Sequence, residues 1–260
     1  MFKTNGMKMS TGDKMFEIAN YGFLIILMFV MVYPFYNTLV VSFNDATDSI
    51  RGQIYFFPRQ FSLYNYKVLF SNDNLFHALY ISVVKTLLVT AINVFVSALT
   101  AYILSQKDFP LNRFMTVFLV LTMYVNAGLI PQYFVARDLG LVNKFWVYIV
   151  PTALGAFNVI VVRTFINDLP ASYAESARID GAGDMRILLR IIMPLCKPIL
   201  ATVALWVAVG TWNSWFDTFI YASSKQNLST LQYEMMKLLA TSYNQSNAPD
   251  PSTFVGKGKA

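Results

Sequence analysis

The sequence is short of charge. Asp, Glu, Lys and Arg make up 13% of its 260 residues, about half the ~25% usual in soluble domains. So little charge does not cover a water-facing surface, and 56% hydrophobic residues place the chain in the membrane class. Cysteine and histidine are scarcer still, at one each. A single Cys excludes an internal disulfide, and one Cys with one His leaves too few ligands for a metal cluster. Cys196 reads as a packing residue and His77 as an ordinary interfacial one. No phosphate-cradling glycine loop ending in Lys-Ser/Thr occurs, nor a His-Glu-x-x-His helix, nor a Gly-x-Ser-x-Gly element. ATP hydrolysis by that route is excluded, and an intramembrane enzyme lacks its starting residues. The net charge of +6 does not call for nucleic acid, because membrane proteins concentrate Lys and Arg in cytoplasmic loops.

Long apolar runs are abundant. A bilayer core takes roughly 20 residues of helix, and five stretches meet or approach that length: about 18–41, 76–105, 114–136, 145–166 and 198–221. The fold class expected is all-α, a polytopic helical membrane protein. Residues 1–17 form a cytoplasmic N-terminal segment, 18–221 the transmembrane domain with a cytoplasmic loop at 167–197, and 222–260 a polar C-terminal segment, disordered at its end. The first run is too long for a cleaved signal peptide, and no small-residue cleavage site follows it. With the N-terminus inside, the inner segments hold Lys3, Lys8, Lys14, Lys107, Arg113, Arg163, Arg178, Arg186, Arg190 and Lys197, and the outer loops Arg51, Arg59, Lys67, Arg137, Lys144, Lys225 and Lys237. Ten cations against seven favour that orientation.

The inner loop carries the most information. Pro170 suits a first helical turn, Ser172 with Glu175 fits a capping box, and Gly181 is placed to end the helix in the left-handed conformation. A helix of two to three turns is marginal alone, so it needs a partner surface. Ala174, Ala177 and Gly181 recur at helical spacing and are small enough for close approach. Tyr173 and Ile179 offer apolar handles. Asp184 is expected to cap a second helix, Arg186 and Arg190 share one face of it, and Pro194 breaks or kinks it. These residues leave two readings open, a docking helix and a solvated amphipathic linker.

Glu175-Ser176-Ala177, Gly181, Ile191 and Met193-Pro194 resemble the EAA loop of bacterial ABC importer permeases: Glu-Ala-Ala, three residues, Gly, nine residues, Ile, one residue, Leu-Pro. Every spacing agrees; Ser176 and Met193 are the departures. "FFPRQFSLYNYKVLF", "NAGLIPQYFVARDLGLVNKFWVYIVP", "ESARIDGAG" and "WNSWFDTFIY" are similar to segments of the carbohydrate permeases linked with oligosaccharide or complex-sugar uptake. The likeness extends over roughly residues 10–245. It implies the type I ABC importer transmembrane fold, with the loop as the coupling helix of an ATPase. Tyr173, Glu175, Ser176, Ala177, Asp180, Gly181, Ile191 and Pro194 are the coupling residues expected. It implies a second homologous permease, an ATPase dimer that binds ATP and Mg in place of this chain, an extracytoplasmic solute-binding protein, a sugar substrate and the bacterial cell membrane.

Tyr124, Asn126, Trp212, Asn213 and Trp215 are candidates for the substrate pathway, since sugars are held by aromatic faces and amides; packing and an interfacial aromatic belt are the competing reading. Lys85 lies within a span, where charge is costly and often functional. Snorkelling to the outer interface is the reading favoured, and an ion pair with Asp217 the alternative. The stretch 132–146 is expected to form a short outer helix and a turn that faces the binding protein, with the outer loop after the first span as another contact. The resemblance implies six spans, and the sixth helix is missing from the reading. A truncated permease and a secondary transporter therefore stand as alternatives.

Overall fold

Lipid offers no hydrogen bonds to backbone groups, so apolar runs satisfy them internally as helix. The computed structural model describes residues 10–49, 51–71, 73–106 and 108–246. Among these residues it contains helices and turns and no β-strand; one isolated antiparallel bridge joins Asn44 and Phe61. Lys3, Lys8, Lys107 and the last fourteen residues lie outside the described part. Two units divide between Asp73 and Asn74.

The first unit is built on α1, Thr11–Ser42. Asp13 accepts from the Ser10 backbone N–H at 3.0 Å and closes its first turn. Side chains such as Ile26, Phe29 and Val30 stay more than half exposed, as expected of a helix whose surroundings are apolar. Pro34 removes one helical donor, and the Thr38 hydroxyl donates to the Pro34 carbonyl at 2.8 Å. Residues 43–62 fold back over the end of this helix. Asn37 donates to the Ile54 carbonyl and the Tyr36 hydroxyl to that of Phe56, both at 2.7 Å. Asn44, fully buried, donates to Asp48 Oδ2 at 3.0 Å and accepts from the Gln60 N–H at 2.8 Å. Arg59 Nε donates to Asp48 Oδ2 at 2.9 Å.

All but the first residue of α2, Asp73–Ser105, lies in the second unit; the helix is unbroken over 33 residues and so about 50 Å long. Then come α3, Asn112–Tyr124, and α4, Leu129–Asp138. The stretch 114–136 is therefore not one span. Asn126 Oδ1 accepts from the Gly128 N–H at 2.9 Å, and Gly128 stands at φ +84°, a conformation other residues avoid. Short 3₁₀ turns over Phe145–Thr152 lead at 47° into α5, Ala156–Asn167, where one continuous helix over 145–166 is the sequence expectation. The bend between the two leaves the Thr152 carbonyl outside the helical ladder, and Asn93 of α2 donates to it at 2.7 Å. Beyond α6, Ser172–Ile179, and α7, Asp184–Leu195, the chain turns 83° into α8, Lys197–Asn213. A π-helical turn at Leu188–Ile192 precedes Pro194, so the expected kink is present. The expected span 198–221 is interrupted at Ser214 and Trp215 before α9, Phe216–Tyr221.

Leu231–Ser246 forms a further helix, α10, of 16 residues, within a stretch read from sequence as a polar C-terminal segment. Its first N–H, on Leu231, donates to Ser82 Oγ of α2 at 2.8 Å. At about 24 Å it is shorter than a bilayer core. Among the described residues α1 and α2 are long and apolar enough to cross a membrane, and counting each bent pair as one span gives four such candidates.

Contacts in this unit gather at two ends. At one, the Tyr148 hydroxyl donates to the Leu228 carbonyl at 2.8 Å, Asn143 N–H to that of Tyr221 at 2.9 Å, and His77 bonds that of Asn227 at 3.0 Å. At the other, a core that includes Ala101, Leu119, Val162, Ile187, Leu188 and Val203 joins α2, α3, α5, α7 and α8. Arg163 of α5, counted from sequence as a loop cation, donates to Thr116 Oγ1 at 2.7 Å and Asn112 Oδ1 at 2.9 Å.

Candidate functional site

α6 is the short helix anticipated, held differently from the sequence reading. Ser172 is its first residue and Ala171 precedes it as cap without a side-chain bond, so the Ser172–Glu175 capping box does not form. Pro170 supplies the turn instead: its carbonyl accepts from the Tyr173 N–H at 3.3 Å, and that of Ala171 from the Glu175 N–H at 3.1 Å. Asp184 likewise stands inside α7, with Gly183 as cap. The other end agrees with expectation. Gly181 stands at φ +79°, its N–H donates to the Arg178 carbonyl at 3.0 Å, and the Ala182 N–H to that of Ala177 at 2.9 Å. These two bonds make the Schellman closure that a left-handed glycine permits.

The faces of α6 correct a second expectation. Ala177 is buried in the core, with Ala174 packed against it. Ala174 and Ala177 thus pack against the protein's own helices, while Gly181 stays exposed. Outward stand Tyr173 at 49% and Ile179 at 87% exposure, with Glu175, Ser176 and Asp180 exposed beside them. Ile191 is half-buried against the same core, and Pro194 is exposed just past the π turn. The coupling residues read from sequence therefore split. Tyr173, Glu175, Ser176 and Asp180 form an outer edge; Ala177, Gly181, Ile191 and Pro194 hold that edge in place. Cys196 is buried in this core; burial pushes its thiol up, away from reactivity.

Sequence reasoning missed the side chain that secures this helix. Arg178 of α6 donates to the side-chain carbonyl of Gln106, just beyond the end of α2, and lies 3.4 Å from Asp184 Oδ1 of α7. Asp184 also accepts from the Tyr102 hydroxyl at 3.2 Å. No local signal links these positions, which lie up to 82 residues apart.

Lys85 does not snorkel. It is 2% exposed, its Nζ lies 3.6 Å from Asp217 Oδ2, and it stands 4.6 Å over the Tyr148 ring. Asp217 follows the break between α8 and α9 and accepts from the Ser214 hydroxyl. It also lines a cavity of about 480 Å³ with Gln132, Thr152 and Tyr221. None of the five pathway candidates lines that cavity. Tyr124, 82% exposed, and Asn126 flank the α3–α4 break. Trp212 and Asn213 end α8, where Asn213 donates back to the Val209 carbonyl at 2.9 Å. Trp215 packs edge-on against Phe216 at 5.6 Å.

Residues 88–216 match the family described as "Binding-protein-dependent transport system inner membrane component". The chain is 35% identical over 209 residues to the polygalacturonan/rhamnogalacturonan transport system permease protein YtcP of Bacillus subtilis, covering 80% of this chain and 73% of that one. It is 31% identical over 221 residues to the protein LplC of the same organism, covering 85% and 75%. A crystal structure of a bacterial ABC transporter involved in the import of the acidic polysaccharide alginate superposes with a TM-score of 0.82 at 27% identity, over 88% of this chain and 81% of that one. The chain belongs to the binding-protein-dependent inner-membrane component family. It is a membrane permease with the transmembrane fold of an ABC importer, a transport component rather than an enzyme.

Proposed function

We propose that the chain is one membrane subunit of an ATP-driven importer for a sugar or oligosaccharide. It pairs with a second, homologous permease, while a separate ATPase dimer binds ATP and Mg beneath them. An extracytoplasmic binding protein delivers the solute. The observation that carries the reading is the outer edge of α6. Tyr173, Glu175, Ser176, Ile179 and Asp180 stand exposed on a helix whose other face is sunk into the protein's own core. A helix of 8 residues does not persist without such anchoring, so the anchored face frees the outer edge for docking. The sugar class rests on what the relatives transport, such as the polygalacturonan/rhamnogalacturonan of YtcP. The N-terminus and α6 lie in the cytoplasm, and α1 and α2 pass through the cell membrane.

Nucleotide-driven rearrangement of the ATPase moves α6, and the permease passes between inward- and outward-facing states. The test is a mild-detergent pull-down of the tagged chain from its native membranes, with mass spectrometry of the proteins recovered. An ATPase, a second permease and a sugar-binding protein are expected. Gly181→Asp places a side chain at φ +79°, misdirects the chain after α6, and is expected to lose the ATPase while the permease remains in the membrane. Recovery of none of the three by the inserted wild-type chain, or full ATP-driven uptake by the Gly181 variant, overturns the reading.

A further inference from the structure

α6 meets the rest of its unit in two ways. Ala174 and Ala177 pack into the core. At the last turn, contact also passes through polar bonds: Arg178 to Gln106 and Asp184, and Asp184 to Tyr102. These four side chains tie α6, the end of α2 and the start of α7 together. On either side of them lie cavities of about 470 Å³ and about 410 Å³, both lined by Tyr102, Gln106 and Arg178. Around Arg178, then, hydrogen bonds across open space join α6 and α2 beside the apolar core that Ala177, Tyr102 and Leu104 share. Packing resists separation of the two elements but is non-directional, whereas the bonds fix a direction in which one element follows the other.

We propose that Arg178 is the positioning residue that transmits displacement of α6 to α2, with Gln106 as its acceptor and Tyr102–Asp184 as the brace. The inference rests on the coupling role proposed above for α6. A guanidinium suits the task because its rigid fork addresses two acceptors in different directions at once and stays charged. α2 suits it too, being one unbroken helix from Ser105 to Asp73, so a push at Gln106 reaches the Lys85–Asp217 pair and the far end without a joint. The alternative route, through α7 into α8, crosses a π-helical turn and an 83° bend. Such breaks absorb movement, whereas a straight helix carries it.

The experiment uses the importer recovered through the tagged chain. Tyr80, 63% exposed near the far end of α2, is replaced by cysteine in a Cys196→Ala background and labelled with an environment-sensitive fluorophore. Mg-ATP is expected to change the signal of this parent complex. Arg178→Ala and Gln106→Ala are expected to recover the same amount of ATPase and hydrolyse ATP, yet lose about fivefold or more of the signal change. Gln106→Glu keeps an acceptor and is expected to restore it. An undiminished response in Arg178→Ala, or no response in a parent that holds its ATPase, overturns the linkage. Loss of ATPase in Arg178→Ala alone also overturns it, by making Arg178 a docking contact. Absence of ATPase from the parent is a separate result, which removes the coupling reading itself.

Discussion

Lys85 shows how much one buried charge depends on its surroundings. Its ammonium lies 3.6 Å from Asp217 Oδ2, beyond hydrogen-bond length, and has no hydrogen-bond acceptor. The Tyr148 ring face at 4.6 Å supplies part of the stabilisation lost on leaving water. Asp217 differs: its side chain is 38% exposed and opens on a cavity, so it retains access to water. Removing either partner is therefore unequal. Asp217→Asn strands a buried cation and is expected to cost about 3 kcal/mol or more. Lys85→Met leaves a carboxylate that hydrates through the cavity and is expected to cost less. The double variant Lys85→Met/Asp217→Leu strands nothing and is expected to recover most of the stability lost in Asp217→Asn. Thermal unfolding of the detergent-solubilised chain, followed by size exclusion, measures all three. A double variant as unstable as Asp217→Asn, or equal losses in the two single variants, excludes a functional ion pair. The sequence places Lys85 inside a span but does not say which side of the helix faces protein, so snorkelling and pairing are indistinguishable until α8, α9 and the Tyr148 turn are seen beside it.

At the scale of elements, the sequence reading passed over the helix breaks, although turn chemistry is concentrated at two of them. Asn126, Gly128 and Pro131 fall within six residues, and Pro151 and Gly155 within five. Hydropathy alone merges each group into a single span because apolar residues continue on both sides. The Gly181 ending of α6 was readable, because one conformation demands that residue type. The Arg178 bridge and the Asn93 cap on the Thr152 carbonyl were not, because each joins positions far apart in sequence. The loop over 43–62 carries an element-scale prediction about pH. The amide of Asn44 first, then the bond and charge of Arg59, hold the Asp48 carboxyl below its ordinary 3.8. The Thr47 hydroxyl and the N–H groups of Thr47 and Asp48 do the same for Asp45. The opened loop therefore binds protons more readily than the closed one. Closure is stabilised fully above the ordinary carboxylate range and weakens as pH falls through the depressed values. Hydrogen exchange of the Gln60 amide, which bonds Asn44 Oδ1 at 2.8 Å, reads this directly. Protection relative to the intrinsic rate is expected to hold from neutrality down to the ordinary carboxylate range and to fall as pH drops below it. Asp48→Asn is expected to show less protection at neutrality and a weaker acid loss. Protection that stays constant into strong acid refutes the carboxylate's part in closing the loop.

For the whole molecule, the number of apolar runs and the polar loop between the last two established the class of fold. α10 escaped because Glu234 and Lys237 interrupt its apolar pattern, although they pair with each other at 2.6 Å. Orientation is the property on which every functional assignment rests, and charge and topology together bear on it. Successive long elements of the second unit return to the same two ends. Residues 77, 82, 85, 148, 217 and 227–231 meet at one, and 102–106, 109–116, 163 and 177–192 at the other. A protein in a bilayer must place one of these ends in the cytoplasm. Arg186, Arg190 and Lys197 stand exposed at the second end. Among the described residues, Arg113, Arg163 and Arg178 bring the cations there to six, against Arg137, Lys144, Lys225 and Lys237 at the first end. The excess of Lys and Arg favours the second end as the inner one. Single cysteines test this in cells, since Cys196 is buried. A membrane-impermeant maleimide is expected to label Tyr55→Cys, 59% exposed, and Lys225→Cys from outside. It is expected to reach Ile179→Cys, at a site 87% exposed, only after the membrane is opened. The reverse pattern inverts the protein and removes α6 from any cytoplasmic ATPase. Labelling of Tyr55→Cys and Lys225→Cys from opposite sides contradicts the alternation of spans, and with it the path along which α6 is proposed to act.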